Sequence, residues 1–563
     1  MGCTISNKKK TIYDSVYNSA KSAYPDIEIP EFTVEEPKDK GHGDYAVNAA
    51  MLLARAAHSA PRAIAEKIAE GINKESIGAE KIEIAGPGFI NFYLDKSYLY
   101  GALKEIEEER ENYGNLNIAD GKSVVVEFVS ANPTGPMHMG NARGGALGDT
   151  LANVLKAAGW RVTKEFYIND AGAQIDKFGR SLSARYIQIL KGEDAVEFPE
   201  DGYQGDDIKV HAQNYIDKYG DGLLEKSEEE RKKALINYAL PLNIEALQKT
   251  LSDYRIDYDV WFHESTLHES GKVSDAIDML KKSGITYEKD GALWIKSSEF
   301  CEDKENAKDD VLVRANGIPT YFAADIAYHK NKLEDRAFDL AINIWGADHH
   351  GHIARMKGAM ESIGINGDRL NVIVIQLVRL MRGKEIARMS KRTGKMITLS
   401  DLIEDIGVDA ARFFFNMRAA GSHMDFDLDL AVSQSNENPV FYVQYAHARI
   451  CSIIRILRET GVEIPKVKDT DLSLLKKDEE IELILSLAKF PEEIKAAAES
   501  FDPSNLTHYV IDVASRFHSF YNNCRVRDEK TELMQARLLL IESTRRVIEN
   551  ALKILGVSAP EQM

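Results

Sequence analysis

Cysteine is scarce in this chain: four residues in 563, at positions 3, 301, 451 and 524. They are too few and too scattered for a disulfide framework or a Cys-X-X-Cys metal site, so a reducing compartment, the cytoplasm, is expected. Long apolar runs are missing too; none approaches the roughly 20 residues of a membrane span. Positive charge is in deficit. The formal net charge of −18 argues against indiscriminate binding to polyanions, because counterion release needs clustered lysine and arginine. Internal repeats and low-complexity tracts are absent. What is present, 44% apolar and 28% charged residues with 38 Gly and 15 Pro, is an ordinary globular composition. The length predicts roughly three to five domains. The opening MGCTISNKKK matches the Gly2 and Ser6 pattern for myristoylation, but nothing else in the chain points to a membrane.

Two local features stand out. The stretch Ser123 to Val129 is β-branched and apolar and reads as a buried strand, which Pro133, Gly135 and Pro136 forbid from continuing. Leu147, Leu151, Val154, Leu155 and Ala158 then recur at helical spacing. His138, Gly140 and Asn141 therefore sit on the first turn of a helix rising from a strand end, where free N–H groups and the macrodipole favour phosphates. Gly140 removes a Cβ from that approach. The second feature is a cationic segment after the strand-like NVIVIQLVRL: residues 378–395 carry a net +6, including Lys391 in ARMSKRTGK. A lysine there acts as a compact point charge, able to grip a triphosphate from the side opposite the helix.

The rest of the chain sorts into three parts. Residues 1–118 read as a small α/β unit containing a hairpin in KIEIAGPGFINFYL. Residues 119–403 alternate strand and helix, predicting a mostly parallel, doubly wound sheet whose strands include DVLVRA, AINIWG and NVIVIQLVRL, interrupted at about 175–300 by a charged helical insertion. Residues 404–563 read as a helical bundle, with Asn438 and Pro439 as N-cap and N1 of one helix. The cluster Asp348, His349, His350 and His352 suggests zinc, but adjacent residues at a strand end diverge, so no metal site is expected.

In order along the chain, EFVSANPTGPMHMGNAR, INDAG, TYFAADIAYHKNKL, WGADHHGHIAR, VDAARFFF, NPVFYVQYAHARI and LGVSAPEQM resemble the bacterial arginyl-tRNA synthetases, class I aminoacyl-tRNA synthetases. The resemblance implies a Rossmann-type catalytic domain, an N-terminal domain touching the tRNA elbow and an all-α anticodon-binding domain. It implies adenylation of L-arginine with ATP and Mg2+, then transfer to the 2′-hydroxyl of the terminal adenosine of tRNA(Arg). Another class I synthetase or a nucleotidylyltransferase is the alternative. His138, Asn141 and Lys391 are the expected catalytic donors, since charge develops on phosphate oxygens and no general base is needed. Asn141 stands where many class I members have a second histidine.

Pro133, Thr134, Gly135, Gly140, Met389 and Ser390 are expected around ATP, with Gly346 and either Asp348 or His349 at the ribose. The implied arginine pocket is Glu127, Ser130, Asn132, Tyr321, Asp325 and His349, with Asp325, Tyr321 and Glu127 on the guanidinium. His349 replaces a glutamine frequent in the family. Tyr442, Tyr445 and Arg449 are the candidate tRNA contacts, with Arg516 and Tyr521 nearby, and a monomer is expected.

Overall fold

A computed structural model describes residues 4–301, 308–347, 351–387, 397–527 and 530–563. Five strands form a parallel sheet in the order Leu370–Ile375, Leu340–Gly346, Ser123–Glu127, Arg161–Ile168, Val260–His263. The central Ser123–Glu127 strand buries Val124, Val125 and Val126 completely, as expected of a strand covered on both faces. From it the chain steps outward through Arg161–Ile168 to Val260–His263, then returns to the other side. The reversal falls between Ser123–Glu127 and Leu340–Gly346, and ligand crevices of such sheets open at the carboxyl ends of those strands.

The helix Gly140–Ala157 follows the central strand and is buried along most of its length. Its glycines permit close packing. A Cβ on Gly148 would lie 2.3 Å from the Phe128 ring, and one on Gly145 would lie 2.9 Å from Ile256. The helix thereby sits tightly over the strand ends, with its N-terminus at the crevice.

Three sequence expectations need correction. The segment 175–300 is not purely helical: Ala173–Lys191, Asp206–Tyr219 and Glu228–Asp253 pack on one another, but Val260–His263 joins the central sheet. Asp310–Val313 belongs to a separate antiparallel sheet with Thr286–Lys289 and Ala292–Ile295; only Leu312 of its four side chains is buried, too little for a strand covered on both faces. The run NVIVIQLVRL breaks at Gln376, and Val378–Arg382 leaves to pair in parallel with Met424–Asp427.

At the N-terminus a four-stranded antiparallel sheet includes the hairpin Ala79–Ala85 with Phe89–Leu94. Its turn uses Gly86 and Gly88 at positive φ. The C-terminal part is a bundle containing Pro439–Glu459, Asp478–Ala488, Phe490–Ser500, Ser504–Asn523 and Thr531–Leu555. Asn438 caps the first of these by accepting from the N–H groups of Val440 and Phe441. The bundle shares one apolar core with the Gly140–Ala157 helix. Arg412, fully buried, spans the junction: it pairs with Asp149 at 2.5 Å and donates to the Leu555 carbonyl at 3.0 Å. Among the described residues no helix is long and apolar enough to cross a membrane.

Candidate active site

The turn after the central strand is strained. Val129 and Ser130 take φ of 68° and 41°, a region that β-branched residues in particular avoid. The conformation is held by hydrogen bonds: Ser130 Oγ donates to Glu127 Oε1 at 2.9 Å and accepts from the Tyr167 N–H at 3.1 Å. Further on, Asn243 of the insertion donates to the Pro133 carbonyl at 3.0 Å, and Thr134 is buried.

His138 lies at the start of the Gly140–Ala157 helix, and its Nδ1 accepts from the Gly140 N–H at 3.0 Å. In the neutral ring that contact places the proton on Nε2, which is left as a donor. Burial lowers the pKa of His138 below its ordinary value, so the neutral form prevails at physiological pH. Asn141 is half-buried on the first turn. Lys391, Met389 and Ser390 lie outside the described residues. The chain re-enters description beside His138: Met139 N–H donates to the Ile397 carbonyl at 3.1 Å and Leu399 N–H to that of Met137 at 2.9 Å.

Across the crevice, Asp325 sits on the helix Tyr321–Lys330, and Glu264, just past the Val260–His263 strand, is near enough to feel its charge. Glu264 is 8% exposed. Its carboxyl pKa is raised by burial, with the negative charge of Asp325 adding to the effect. Its side-chain contacts include the Tyr167 hydroxyl and His268 Nε2 at 3.4 Å. Burial also raises the Tyr167 pKa, which keeps that hydroxyl protonated. His352 Nε2 lies 3.3 Å from Asp325 Oδ2 without making a hydrogen bond. Among the described residues no lysine or arginine pairs with either carboxylate. Tyr321, 68% exposed, stands at the rim.

Glu127 is a different case. It is 7% exposed, and its Oε2 receives the ammonium of fully buried Lys332 at 2.6 Å. Its charge is thus already neutralised inside the protein, which sets it apart from Asp325 as a guanidinium partner. Sequence reasoning missed Glu264, Tyr167 and Lys332, and took His352 only as part of a metal-like cluster. Their signal is a tertiary one, a buried acid without a cation or a buried cation with an acid, and no local pattern announces it. Asn132 and Gly346 are exposed at the mouth of the crevice; Asp348 and His349 fall outside the described residues.

Three family models match the chain: "Arginyl tRNA synthetase N terminal domain" over residues 10–94, "tRNA synthetases class I (R), catalytic domain" over 103–420, and "DALR anticodon binding domain" over 443–563. The arginine–tRNA ligase of Ruminiclostridium cellulolyticum is 57% identical over 99% of this chain and 98% of its own. The chain belongs to the arginyl-tRNA synthetase family. The enzyme of Acetivibrio thermocellus is likewise 57% identical, over 99% of both chains. The solved Thermus thermophilus arginyl-tRNA synthetase, 23% identical, shares the fold over 99% of this chain and 100% of its own, with a TM-score of 0.76.

Within the region matched by the family's anticodon-binding model, Arg449 is sandwiched between two rings. Its guanidinium lies 4.9 Å from the centroid of Tyr445 and 4.4 Å from that of Tyr521. Tyr442 packs on His518 at 4.7 Å. Tyr445 and Arg449 line a cleft of about 320 Å³ with Gln562 and Met563. Arg516 is taken up by Asp512 and Glu482.

Proposed function

We infer that the chain is an arginine–tRNA ligase, which activates arginine with ATP and passes it to tRNA. The observation that carries this reading is the neighbourhood of Glu264 and Asp325, two carboxylates that among the described residues have histidines beside them, at 3.4 and 3.3 Å, and no lysine or arginine. A guanidinium supplies what that neighbourhood lacks, a positive charge and a planar fork of donors. Asp325, Glu264 and Tyr321 take the guanidinium. Ser130, Asn132 and His349 take the α-amino and carboxylate groups.

In the first step a carboxylate oxygen of arginine forms a bond to the α-phosphorus of ATP. The bond from that phosphorus to the bridging oxygen breaks, and pyrophosphate leaves with the electron pair. Negative charge grows on the phosphate oxygens, so donors aimed at them lower the barrier. His138 Nε2–H, Asn141 and the helix N-terminus provide them from one side, and Lys391 provides one from the other. Lys391 is six residues from Ile397, a span of up to about 20 Å of extended chain, enough to reach His138. Pro133, Thr134, Gly135, Gly140, Met389 and Ser390 border the nucleotide, with Gly346 and Asp348 or His349 at the ribose. In the second step the terminal 2′-hydroxyl of tRNA(Arg) attacks the arginyl carbonyl, AMP departs and the hydroxyl proton is lost.

Magnesium enters with the triphosphate as part of the substrate. Among the described residues no group of three or more His, Cys, Asp or Glu forms a metal cage, and no step here needs one. In the bundle, the Tyr445, Arg449 and Tyr521 stack is a platform for a splayed anticodon base; Tyr442 supports it. The divisions at 118/119 and 403/404, a monomeric state and a cytoplasmic location complete the proposal.

ATP–pyrophosphate exchange with each amino acid, with and without tRNA, tests the reading. Exchange confined to arginine and dependent on tRNA is expected. Exchange with a different amino acid would assign the site to another synthetase.

A further inference from the structure

Arg143, in the first turn of the Gly140–Ala157 helix, is 1% exposed and has no carboxylate partner among the described residues. Its guanidinium is satisfied by main-chain carbonyls alone: Nη1 donates to Gln376 at 3.0 Å and to Ser422 at 2.8 Å, and Nη2 donates to Ala419 at 2.8 Å. Its Nε has no partner. Burying a cation without a counter-anion is costly, and such costs concentrate where function requires them.

The three carbonyls belong to two segments, and these segments are themselves joined, because Gln376 N–H donates to the Ala420 carbonyl at 3.0 Å. Gln376 ends the Leu370–Ile375 strand, and Ser422 precedes Met424–Asp427, which pairs with Val378–Arg382. Ile375 also lies only 3.1 Å from where a Cβ on Gly144 would stand. The base of this strand pair is thus clamped to the turn of helix beside His138 and Asn141.

We propose that Arg143 is a positioning residue for adenylation: its fork locks the base of the Val378–Arg382 and Met424–Asp427 strands to the helix start that receives the nucleotide. The proposal rests on the reading that ATP binds at that helix start. A lysine cannot replace the fork, because one ammonium on a flexible stem does not reach three carbonyls from two segments in a fixed plane.

The test compares Arg143→Lys and Arg143→Met with wild type in tRNA-supported ATP–pyrophosphate exchange, with arginine affinity measured separately by calorimetry. Both variants should lower kcat/KM for ATP by about 30-fold or more while leaving the arginine Kd within about 2-fold. An Arg143→Lys enzyme within about 3-fold of wild type for ATP would overturn the proposal. So would arginine binding weakened as much as ATP use, or a lysine variant that does not fold, since either makes the fork a general requirement of the structure. His138→Ala separates the two readings. If it leaves ATP use intact, the nucleotide site is misplaced whatever Arg143 does; if it cripples ATP use while Arg143→Lys does not, only the Arg143 proposal fails.

Discussion

His329 is a buried neutral ring whose tautomer is set by its two partners. Its Nδ1 faces the Asp325 carbonyl at 2.7 Å and so carries the proton, while Nε2 accepts from the Asn343 amide at 2.8 Å. Burial, and then the charge of Lys332, lower its pKa from 6.5 to about 4. Between those two values the unfolded chain binds a proton that the native ring refuses, so stability rises with pH through this window. It is fully present above about pH 6.5 and is lost toward pH 4, a loss of about 3 kcal/mol from this group. Denaturant titrations across that range should show it in wild type and not in His329→Asn. Protonation leaves the Nδ1–H donation to the Asp325 carbonyl in place and removes the Nε2 acceptor that the Asn343 amide uses, so acid acts on the Asn343 side of the ring. The left-handed Val129 and Ser130 are a second residue-scale expense, offset by the Glu127 and Tyr167 hydrogen bonds.

At the scale of elements, the Tyr321–Lys330 helix ends in a π-helical turn, Asn331–Asp335. Such turns are rare and recur at functional sites. This one sends Lys332 inward, where it bonds Glu127 on the central strand and Asn343 on its neighbour at 3.1 Å. The helix bearing Tyr321 and Asp325 is thereby tied to two strands. Lys332→Met should cost about 3–5 kcal/mol in denaturant unfolding, because Glu127 is left as an unpaired buried charge. Glu127→Gln with Lys332→Met should recover most of that, as no charge remains uncompensated; a double variant as unstable as the single one would mean that Lys332 acts by packing alone.

Element type was legible wherever local pattern decides it. The strand, proline-rich turn and glycine helix at 123–157 follow from residues close in sequence, as does the Asn438–Pro439 cap. The break at Gln376 was not legible, since its cause is distant: Arg143 and Ala420 take the carbonyl and amide that would continue the ladder. Val260–His263 was hidden by its brevity inside a charged helical stretch, and Asp310–Val313 misled because its partners lie just upstream in a local antiparallel sheet.

At the scale of the whole molecule, three parts close on one another. The lysine run near the N-terminus is engaged internally: Lys9 pairs with Glu492 of the bundle at 3.0 Å and Lys8 donates to the Ile77 carbonyl at 3.1 Å. Tyr113 donates to the Leu487 carbonyl at 3.1 Å, and Asn550 to that of Arg110 at 2.9 Å. The Arg412 fork carries the same continuity to the helix beside the nucleotide crevice. Half of the candidate site was legible beforehand, the donors at a helix start and the acid on the Tyr321 helix. The other half depends on packing within the central part, where Glu264 follows a strand of the parallel sheet and Asp325 lies on the Tyr321–Lys330 helix.

That neighbourhood of two acids without a lysine or arginine partner among the described residues is the central claim, and comparing Asp325→Asn and Glu264→Gln with wild type in arginine titration calorimetry tests it most directly. Each variant should weaken arginine binding by about 100-fold or more, as expected when a charge-assisted partner of a buried guanidinium is lost, while KM for ATP in exchange stays unchanged. Arginine affinity equal to wild type in both variants would contradict the account.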